Sequence, residues 1–85
     1  MTVTTLKNMY CEKNPNGYYF DYKTLKFFGE RLSEMRVMKE IFKIRDFHGD
    51  VHDAYCLSSV QHNAPGGPRR HYSYFDINTF EHIMT

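Results

Sequence analysis

Apolar and polar residues alternate with a period of two in the middle of the chain. Met38, Phe42 and Ile44 fall on one side of an extended strand there, and basic side chains fall on the other. A glycine-containing turn follows, and then comes a second apolar-rich stretch without a helix stop. We therefore predict an antiparallel hairpin that pairs residues 36–47 with residues 51–60.

A helical interpretation of the first of these two segments, residues 33–45, remains open. Ser33 is a residue type that caps helices. Apolar side chains around Ser33 also recur at helical spacing: Leu32, Met35, Met38 and Ile41. The strand is favoured because the following turn and apolar stretch complete a hairpin.

The chain repeats one local pattern at 19–25 and at 74–80: two aromatic residues, Asp, two variable residues, Thr and an apolar residue. In each copy the carboxylate stands where an N-cap accepts hydrogen bonds from the free amides of a first helical turn. We predict a short helix after Asp21 and another after Asp76.

Two loop signals complete the predicted topology. The Asn-Gly pair at 16–17 is typical of a hairpin turn, and it predicts a hairpin that joins roughly residues 5–13 to residues 18–20. The segment 63–68, which contains two prolines and two glycines, interrupts regular structure before the last predicted strand at 71–75.

Length and composition are consistent with these elements. The chain has 85 residues, of which 41% are apolar and 25% are charged, so we expect residues 1–85 to form a single domain. The predicted fold class is α+β, with a small antiparallel sheet of about four strands and two short helices. A chain of this size excludes the large enzyme architectures.

Net charge and cysteine content narrow the functional classes. The formal charge of +1 excludes a heavily acidic DNA mimic and gives no overall field that would attract a nucleic acid or a membrane. Cys11 and Cys56 are too few for the disulfide framework of a small secreted domain, and no stretch is typical of a signal peptide or membrane span. We therefore expect a cytoplasmic protein without membrane association.

Potential metal ligands are concentrated in and after the central turn: His48, Asp50, His52, Asp53, Cys56 and, slightly further on, His62. Their spacing matches no standard metal signature, so we predict no bound metal and no cofactor.

Catalytic signatures are equally lacking. Cys56 lies in an apolar stretch, where a free cysteine typically packs as a small hydrophobic residue rather than acting as a nucleophile. The sequence contains no serine elbow, phosphate-binding glycine loop or His-Glu helical pair. We predict a protein that is not an enzyme.

Basic side chains supply the candidate partner-binding residues. Residues 23–45 carry an excess of positive charge, and two arginines leave the proline-rich loop directly into a predicted strand. Forked guanidinium groups on a stiff loop are suited to carboxylates or phosphates. The alternatives are a solvated strand face and a plain connector whose arginines pair with acids across the sheet. The predicted partner-binding residues are Lys39, Lys43, Arg45, Arg69, Arg70, His71 and Tyr72.

The run from 19 to 31, Tyr-Phe-Asp-Tyr-Lys-Thr-Leu-Lys-Phe-Phe-Gly-Glu-Arg, resembles a group of small uncharacterised phage and prophage proteins. Their typical run is aromatic-Phe-Asp, two variable residues, Thr-Met-Arg/Lys-Phe-Phe, a small residue and Arg. A weaker similarity covers 57–59 and 67–72, while Leu25 and Glu30 depart from the pattern. The resemblance implies no reaction, cofactor or catalytic residue. It implies a mobile-element accessory protein, a class whose very small members commonly bind and block host factors such as CRISPR and other defence machinery.

These observations predict a non-enzymatic binding protein, encoded by a phage or mobile element, that inhibits or modulates a host protein or nucleoprotein complex. An anti-CRISPR-like counter-defence role is one form of this function. The alternative is a nucleic-acid-binding accessory domain that uses the basic stripe at 23–45 together with aromatic stacking.

Overall fold

The computed structural model of the chain describes residues 1–15, 20–21, 26–27, 30–62 and 64–85. Its elements in chain order are helix α1 (Val3–Lys13), strands β1 (Phe20–Asp21), β2 (Lys26–Phe27) and β3 (Glu30–Arg31), a 3-10 helix (Leu32–Glu34), and strands β4 (Arg36–Arg45), β5 (Val51–Gln61), β6 (Arg69–Asp76) and β7 (His82–Met84). The last four strands form an antiparallel sheet in the order β4-β5-β6-β7, and the first three form a small sheet in the order β1-β2-β3. The fold class is α+β, with a four-stranded antiparallel sheet.

The predicted central hairpin is confirmed. Strand β4 pairs with β5 from Arg45 opposite Val51 to Arg36 opposite Ser58, and the turn at 46–50 joins the two strands. The helical alternative for this segment is wrong, because only the 3-10 turn at Leu32–Glu34 precedes an extended strand. The register of β4 shifts within the stretch from residue 37 to residue 41, which is a β-bulge.

The first predicted hairpin is wrong in its first arm, because residues 3–13 form α1 instead of a strand. The Oγ1 atom of Thr2 accepts a hydrogen bond from the backbone N of Thr5 at 3.1 Å, which makes Thr2 the N-cap. Leu6 and Tyr10, one helical turn apart, are both buried, so the helix has a narrow apolar face. The predicted turn at 16–17 and residues 18–19 of the second arm lie outside the described residues.

We expect Thr2→Ala to lower the free energy of unfolding by about 0.5–2 kcal/mol, because the substitution removes the acceptor for a free amide of the first helical turn. Chemical denaturation monitored by circular dichroism measures this difference. Thr4→Ala is the matched control, since Thr4 is exposed in the same turn and alanine favours helix. Equal stability of the Thr2→Ala and Thr4→Ala proteins would show that the cap contributes nothing.

The predicted helix after Asp76 is replaced by a turn. The Oδ1 atom of Asp76 accepts hydrogen bonds from the backbone N of Asn78 at 2.7 Å and of Thr79 at 2.9 Å, so the capping geometry does form. Phe80 then adopts a left-handed backbone conformation, with φ of 59°, which ends the helical path after one turn. The chain returns as β7, so the strand at 69–76 is not the last one. Of the predicted helix after Asp21, residues 22–25 and 28 lie outside the described residues, and residues 26–27 form strand β2.

The core lies between α1 and one face of the four-stranded sheet. Six buried residues of the described part form it: Leu6, Tyr10, Met35, Leu57, Phe75 and Phe80. The rings of Tyr10 and Phe75 meet edge to face at 5.8 Å between centroids, which joins the helix to the sheet. None of the helices in the described segments has the length and apolar character needed to span a bilayer.

Cross-strand register divides the sheet residues between two faces, because residues that oppose each other on neighbouring strands point the same way. Val37, Leu57 and Ser73 lie side by side on the face that α1 covers, which we call the helix face. Cys56 and Tyr74 oppose each other on the other side, which we call the opposite face. This division decides which of the candidate residues lie together.

Candidate functional site

The structure separates the basic residues at the start of β6, because successive residues of a strand point to opposite faces. Arg69 and His71 lie on the helix face, and Arg70 and Tyr72 lie on the opposite face. The Nε2 atom of His71 lies 2.6 Å from the Oε1 atom of Gln61, its diagonal neighbour on β5. The four residues therefore belong to two surfaces.

The predicted basic residues of β4 lie apart from those at the start of β6. Lys43 forms an exposed ion pair with Asp53, with 2.9 Å between Nζ and Oδ1, and Arg45 donates from Nη1 to the carbonyl of Gly49 at 2.9 Å. Both are at the end of the sheet next to the 46–50 turn. Along β5, the level of Lys43 is about 17 Å from Ser58 and that of Arg45 is about 24 Å from it. Lys39 is exposed within the bulge. Among the basic residues whose side chains the structure describes, those of β4 therefore do not form a single stripe.

The opposite face does bring two of the predicted residues, Arg70 and Tyr72, together with a second basic side chain, that of Arg36. Arg36 on β4, Ser58 on β5 and Tyr72 on β6 stand in one cross-strand row, and neighbouring strands are about 4.8 Å apart. Arg70 reaches into this row, because its Nη1 atom donates to the Oγ atom of Ser58 at 2.7 Å. We call these four residues the arginine–tyrosine surface.

Charge on the arginine–tyrosine surface is uncompensated within the described part of the chain. Neither Arg36 nor Arg70 forms an ion pair there, and Arg70 is held by a neutral hydroxyl group. Tyr72 beside them is 44% exposed. The predicted alternative in which Arg69 and Arg70 pair with acids across the sheet therefore has no support among the described contacts. Two guanidinium groups with free donors can bind carboxylates or phosphates through paired hydrogen bonds.

Arg36 is absent from the predicted set, although the sequence holds a usable signal for it. In a hairpin with a short turn at 46–50, position 36 falls opposite position 58 or a near neighbour, at the far end of the pair. Arg36 is therefore near any other strand that pairs with this part of β5. Only the observed register shows that this strand is β6 and that its residues nearest to Arg36 include Arg70 and Tyr72.

Cys56 has the packing predicted for it. The residue is buried on the central strand β5, opposite Tyr74 on β6. Burial raises the pKa of the Cys56 thiol above its ordinary value, and a hydrogen bond with Tyr74 opposes this shift only in part. A thiol with a raised pKa stays protonated at neutral pH, so the nucleophilic thiolate is not favoured at this position.

A second cluster of polar residues lies beside the 46–50 turn, and His52 is at its centre. The Nε2 atom of His52 lies 2.7 Å from the Oδ2 atom of Asp46, and its Nδ1 atom lies 2.9 Å from the Oδ2 atom of Asp76. The histidine on β5 thus links the turn that follows β4 to the end of β6. We call these three residues the His52 clamp.

Electrostatics of the clamp favour the doubly protonated ring. Hydrogen bonds to Asp46 and then Asp76 raise the pKa of His52, and burial opposes them. The hydrogen bond from His52 lowers the pKa of Asp46. Burial tends to raise the pKa of Asp76, but hydrogen bonds from the Thr79 amide, His52 and the Asn78 amide outweigh it and lower the pKa. Two ionised carboxylates can only accept, so the doubly protonated ring is the form in which both ring nitrogens of His52 donate.

This arrangement bears on the candidate metal ligands. Both ring nitrogens of His52 are engaged by carboxylates, Asp53 is paired with Lys43, and His62 lies 2.6 Å from a carboxylate oxygen of Glu34 at the other end of β5. Within residues 1–15, 20–21, 26–27, 30–62 and 64–85, no group of three or more His, Cys, Asp or Glu side chains is arranged to hold a metal ion.

A pocket of about 240 Å³ opens beside the clamp. The residues that line it are Asp46, Phe47, His48, His52, Asp76, Glu81, His82 and Ile83. Burial lowers the pKa of His82, so this ring favours its neutral form. The described residues thus form two polar features at opposite ends of the sheet: the arginine–tyrosine surface, and the His52 clamp with its pocket.

Comparisons with known proteins do not identify a family for this chain. No family model matches the chain, and neither the curated proteins nor the solved structures contain a match.

Proposed function

We propose that this chain is a non-enzymatic binding protein, encoded by a phage or another mobile element, that inhibits or modulates a host protein or nucleoprotein complex in the host cytoplasm. The observation that supports binding is the arginine–tyrosine surface, in which two uncompensated guanidinium groups and an exposed tyrosine share one face. The mobile-element origin rests on the sequence resemblance at 19–31.

The composition of this surface favours a protein partner. Arginine and tyrosine are enriched among the residues that dominate binding energy at protein interfaces. The Arg70 guanidinium is already held by Ser58, and it projects from a paired strand rather than from a free loop. Binding therefore costs less ordering of the side chain than at a flexible site. We expect an acidic patch on the partner, with carboxylates opposite Arg36 and Arg70.

Affinity capture tests this proposal. The tagged chain, an Arg36→Ala/Arg70→Ala variant and an Arg69→Ala control are each incubated with nuclease-treated bacterial lysate, and retained proteins are identified by mass spectrometry. Arg69 is matched because it lies next to Arg70 but faces the other side of the sheet. The proposal is supported if the wild-type chain and the Arg69→Ala control both retain one host protein that the Arg36→Ala/Arg70→Ala variant does not retain. The proposal fails if wild type retains no host protein above an unrelated tagged domain.

A second candidate function, direct nucleic-acid binding, is favoured by aromatic residues on the same face. Phe42 and Tyr74 meet edge to face at 5.9 Å between centroids, and Tyr72 is the next residue of that face along β6. Bases stack on such side chains while arginines contact the phosphates.

Fluorescence anisotropy with labelled single-stranded DNA and RNA at several salt concentrations separates the two functions. If Arg36 and Arg70 contact two phosphates, the logarithm of the affinity falls with the logarithm of salt concentration with a slope of about −1.4. A protein-directed surface instead leaves both oligonucleotides unbound at physiological salt.

A further inference from the structure

Two guanidinium groups can reach the same point of the arginine–tyrosine surface. Arg70 donates from its Nη1 atom to the Oγ atom of Ser58 at 2.7 Å. Arg36 lies directly opposite Ser58 on β4, about 4.8 Å away, and an extended arginine side chain is longer than this distance. Tyr72 lies opposite Ser58 on the other neighbouring strand. Ser58 therefore forms the base of a shallow site within reach of both arginines.

The side chains of this site offer hydrogen-bond donors. A guanidinium group cannot accept, so the Ser58 oxygen accepts from Arg70, and the hydroxyl proton stays available as a donor. Ser58 is only 3% exposed, and no contact among the described residues supplies an acceptor for that proton. Tyr72, which is 44% exposed, adds a second hydroxyl group. A ligand that fits this site must therefore bring the acceptors.

Two positive charges stand close together here without a carboxylate that neutralises them. Among the residues that the structure describes, neither Arg36 nor Arg70 forms an ion pair. Glu34, the acidic residue nearest to Arg36 in the sequence, is engaged by His62, with 2.6 Å between Oε2 and Nε2. Glu40, the next acidic residue along β4, lies in the bulge. Because the two guanidinium groups repel each other, an anion that contacts both is attracted twice and also relieves their repulsion.

We infer that Arg36 and Arg70 together bind one phosphate monoester group, and that Ser58 holds Arg70 in position to receive it. A phosphate monoester presents three acceptor oxygens and up to two negative charges at one point. Two guanidinium groups and the hydroxyl groups beside them match both the acceptors and the charge. This inference rests on the proposed function and refines it, because two carboxylates of the partner placed at the same point would repel each other.

Other anions match the site less well. A carboxylate has two oxygens and one negative charge. The phosphodiester of a nucleic acid also has one charge, and only two of its oxygens are free of the sugar chain, so one guanidinium group lacks a full partner. The expected ligand is therefore a phosphorylated side chain of the host protein or a small phosphorylated molecule. These two sources share the monoester group.

Titration of the chain alone, with NMR detection of the arginine Nε–H resonances, tests the site. Phenyl phosphate, a monoester, should shift the resonances of Arg36 and Arg70 and leave that of Arg69 unchanged, because Arg69 faces the other side of the sheet. We expect phenyl phosphate to bind about tenfold more tightly than dimethyl phosphate or acetate, since each of these carries only one charge. Equal shifts of Arg69 and Arg70, or equal affinity for all three probes, would show an adventitious ion only and overturn the inference.

Two variants separate the geometry of the site from its charge. Arg70→Lys keeps the positive charge but loses the paired donors of the guanidinium group, and Ser58→Ala removes the hydroxyl group that holds Arg70. Each should weaken the affinity for phenyl phosphate at least about fivefold, whereas Arg69→Lys, the matched control, should bind like wild type. Thermal melts show whether each variant is folded, and Arg70→Lys decides the result if the buried Ser58→Ala variant is not. Wild-type affinity in Arg70→Lys would overturn the inference, because charge alone would then attract the ligand.

Phosphatase treatment of the purified host protein distinguishes the two sources of the monoester. If a phosphorylated side chain supplies it, dephosphorylation weakens binding of the host protein about tenfold or more. If the treated protein binds as before while phenyl phosphate still binds the chain, a small phosphorylated molecule is the ligand. Because the titration uses the chain alone, failure of the phosphate site and failure of host-protein capture are observed separately.

Discussion

Replacing Arg36 and Arg70 together with alanine is expected to weaken binding of the recovered host protein at least about 30-fold, while the protein stays folded. Neither side chain forms an ion pair in the described part of the chain, and both are exposed on the opposite face. Their removal takes away the charge that recognises the partner and leaves the apolar core intact. Isothermal titration calorimetry with the purified host protein gives the affinity, and a thermal melt gives the stability.

The control for this prediction is Arg69→Ala, which removes a neighbouring positive charge from the helix face. If binding depends only on net charge, Arg69→Ala and Arg70→Ala weaken it equally. The arginine–tyrosine surface predicts a loss only in Arg70→Ala. The prediction is wrong if the double variant is destabilised but still binds the host protein with wild-type affinity.

The His52 clamp is expected to make the stability of the fold depend on pH. Because hydrogen bonds to two carboxylates raise the pKa of His52, the clamp stabilises the fold fully below about 6.5, the ordinary histidine value, and this stabilisation is lost as pH rises through the raised pKa. Asp46 and Asp76 have lowered pKa values, so their contribution is complete above 3.8 and is lost as pH falls through those values. Stability from the clamp is therefore greatest between these two limits.

Thermal melts of wild type and His52→Gln from below pH 3.8 to well above pH 6.5 measure the effect. Other titratable groups line the adjoining pocket, namely His48, Glu81 and His82, so the informative quantity is the difference between the two proteins at each pH. The lowered pKa of His82 has the opposite effect on stability, because protonating this buried ring destabilises the fold as pH falls below 6.5. We expect the difference to shrink as pH rises above 6.5, and His48→Gln to keep the wild-type profile. A constant difference would show that His52 is not charged in the fold.

Local patterns predicted the central hairpin because its alternation and its turn are both contained in one continuous segment, residues 36–60. The same kind of pattern missed α1, whose buried face consists mainly of Leu6 and Tyr10. Thr2 is a residue type that caps helices, but no clear helical pattern of apolar residues follows it. The weak amphipathicity of this helix means that packing on the sheet, more than propensity, holds it.

The prediction after Asp76 shows how a correct local interaction can lead to a wrong element. The carboxylate accepts the two amide hydrogen bonds expected of a cap, but a cap is equally compatible with an isolated turn. Burial of the Phe80 ring against the core and its left-handed backbone end the turn. That outcome depends on tertiary packing, which the residues around Asp76 do not encode by themselves.

The candidate site was predicted in part. Arg70 and Tyr72 were identified, but Arg69 and His71 were grouped with them although alternation along a strand separates them. Residues far apart in sequence, such as Arg36 and Tyr72, meet only through register across the central strand. The His52 clamp likewise joins positions up to 30 residues apart through three elements, and no local spacing indicates it.

Hydroxyl-radical footprinting of the chain, free and bound to the purified host protein, tests the central claim most directly. Tyr72 is exposed in the free chain and belongs to the arginine–tyrosine surface, whereas Met1 is exposed and does not belong to it. We predict that binding reduces the oxidation of Tyr72 severalfold and leaves that of Met1 unchanged. Oxidation of Tyr72 at the same rate in the free and bound chain would contradict binding through the arginine–tyrosine surface.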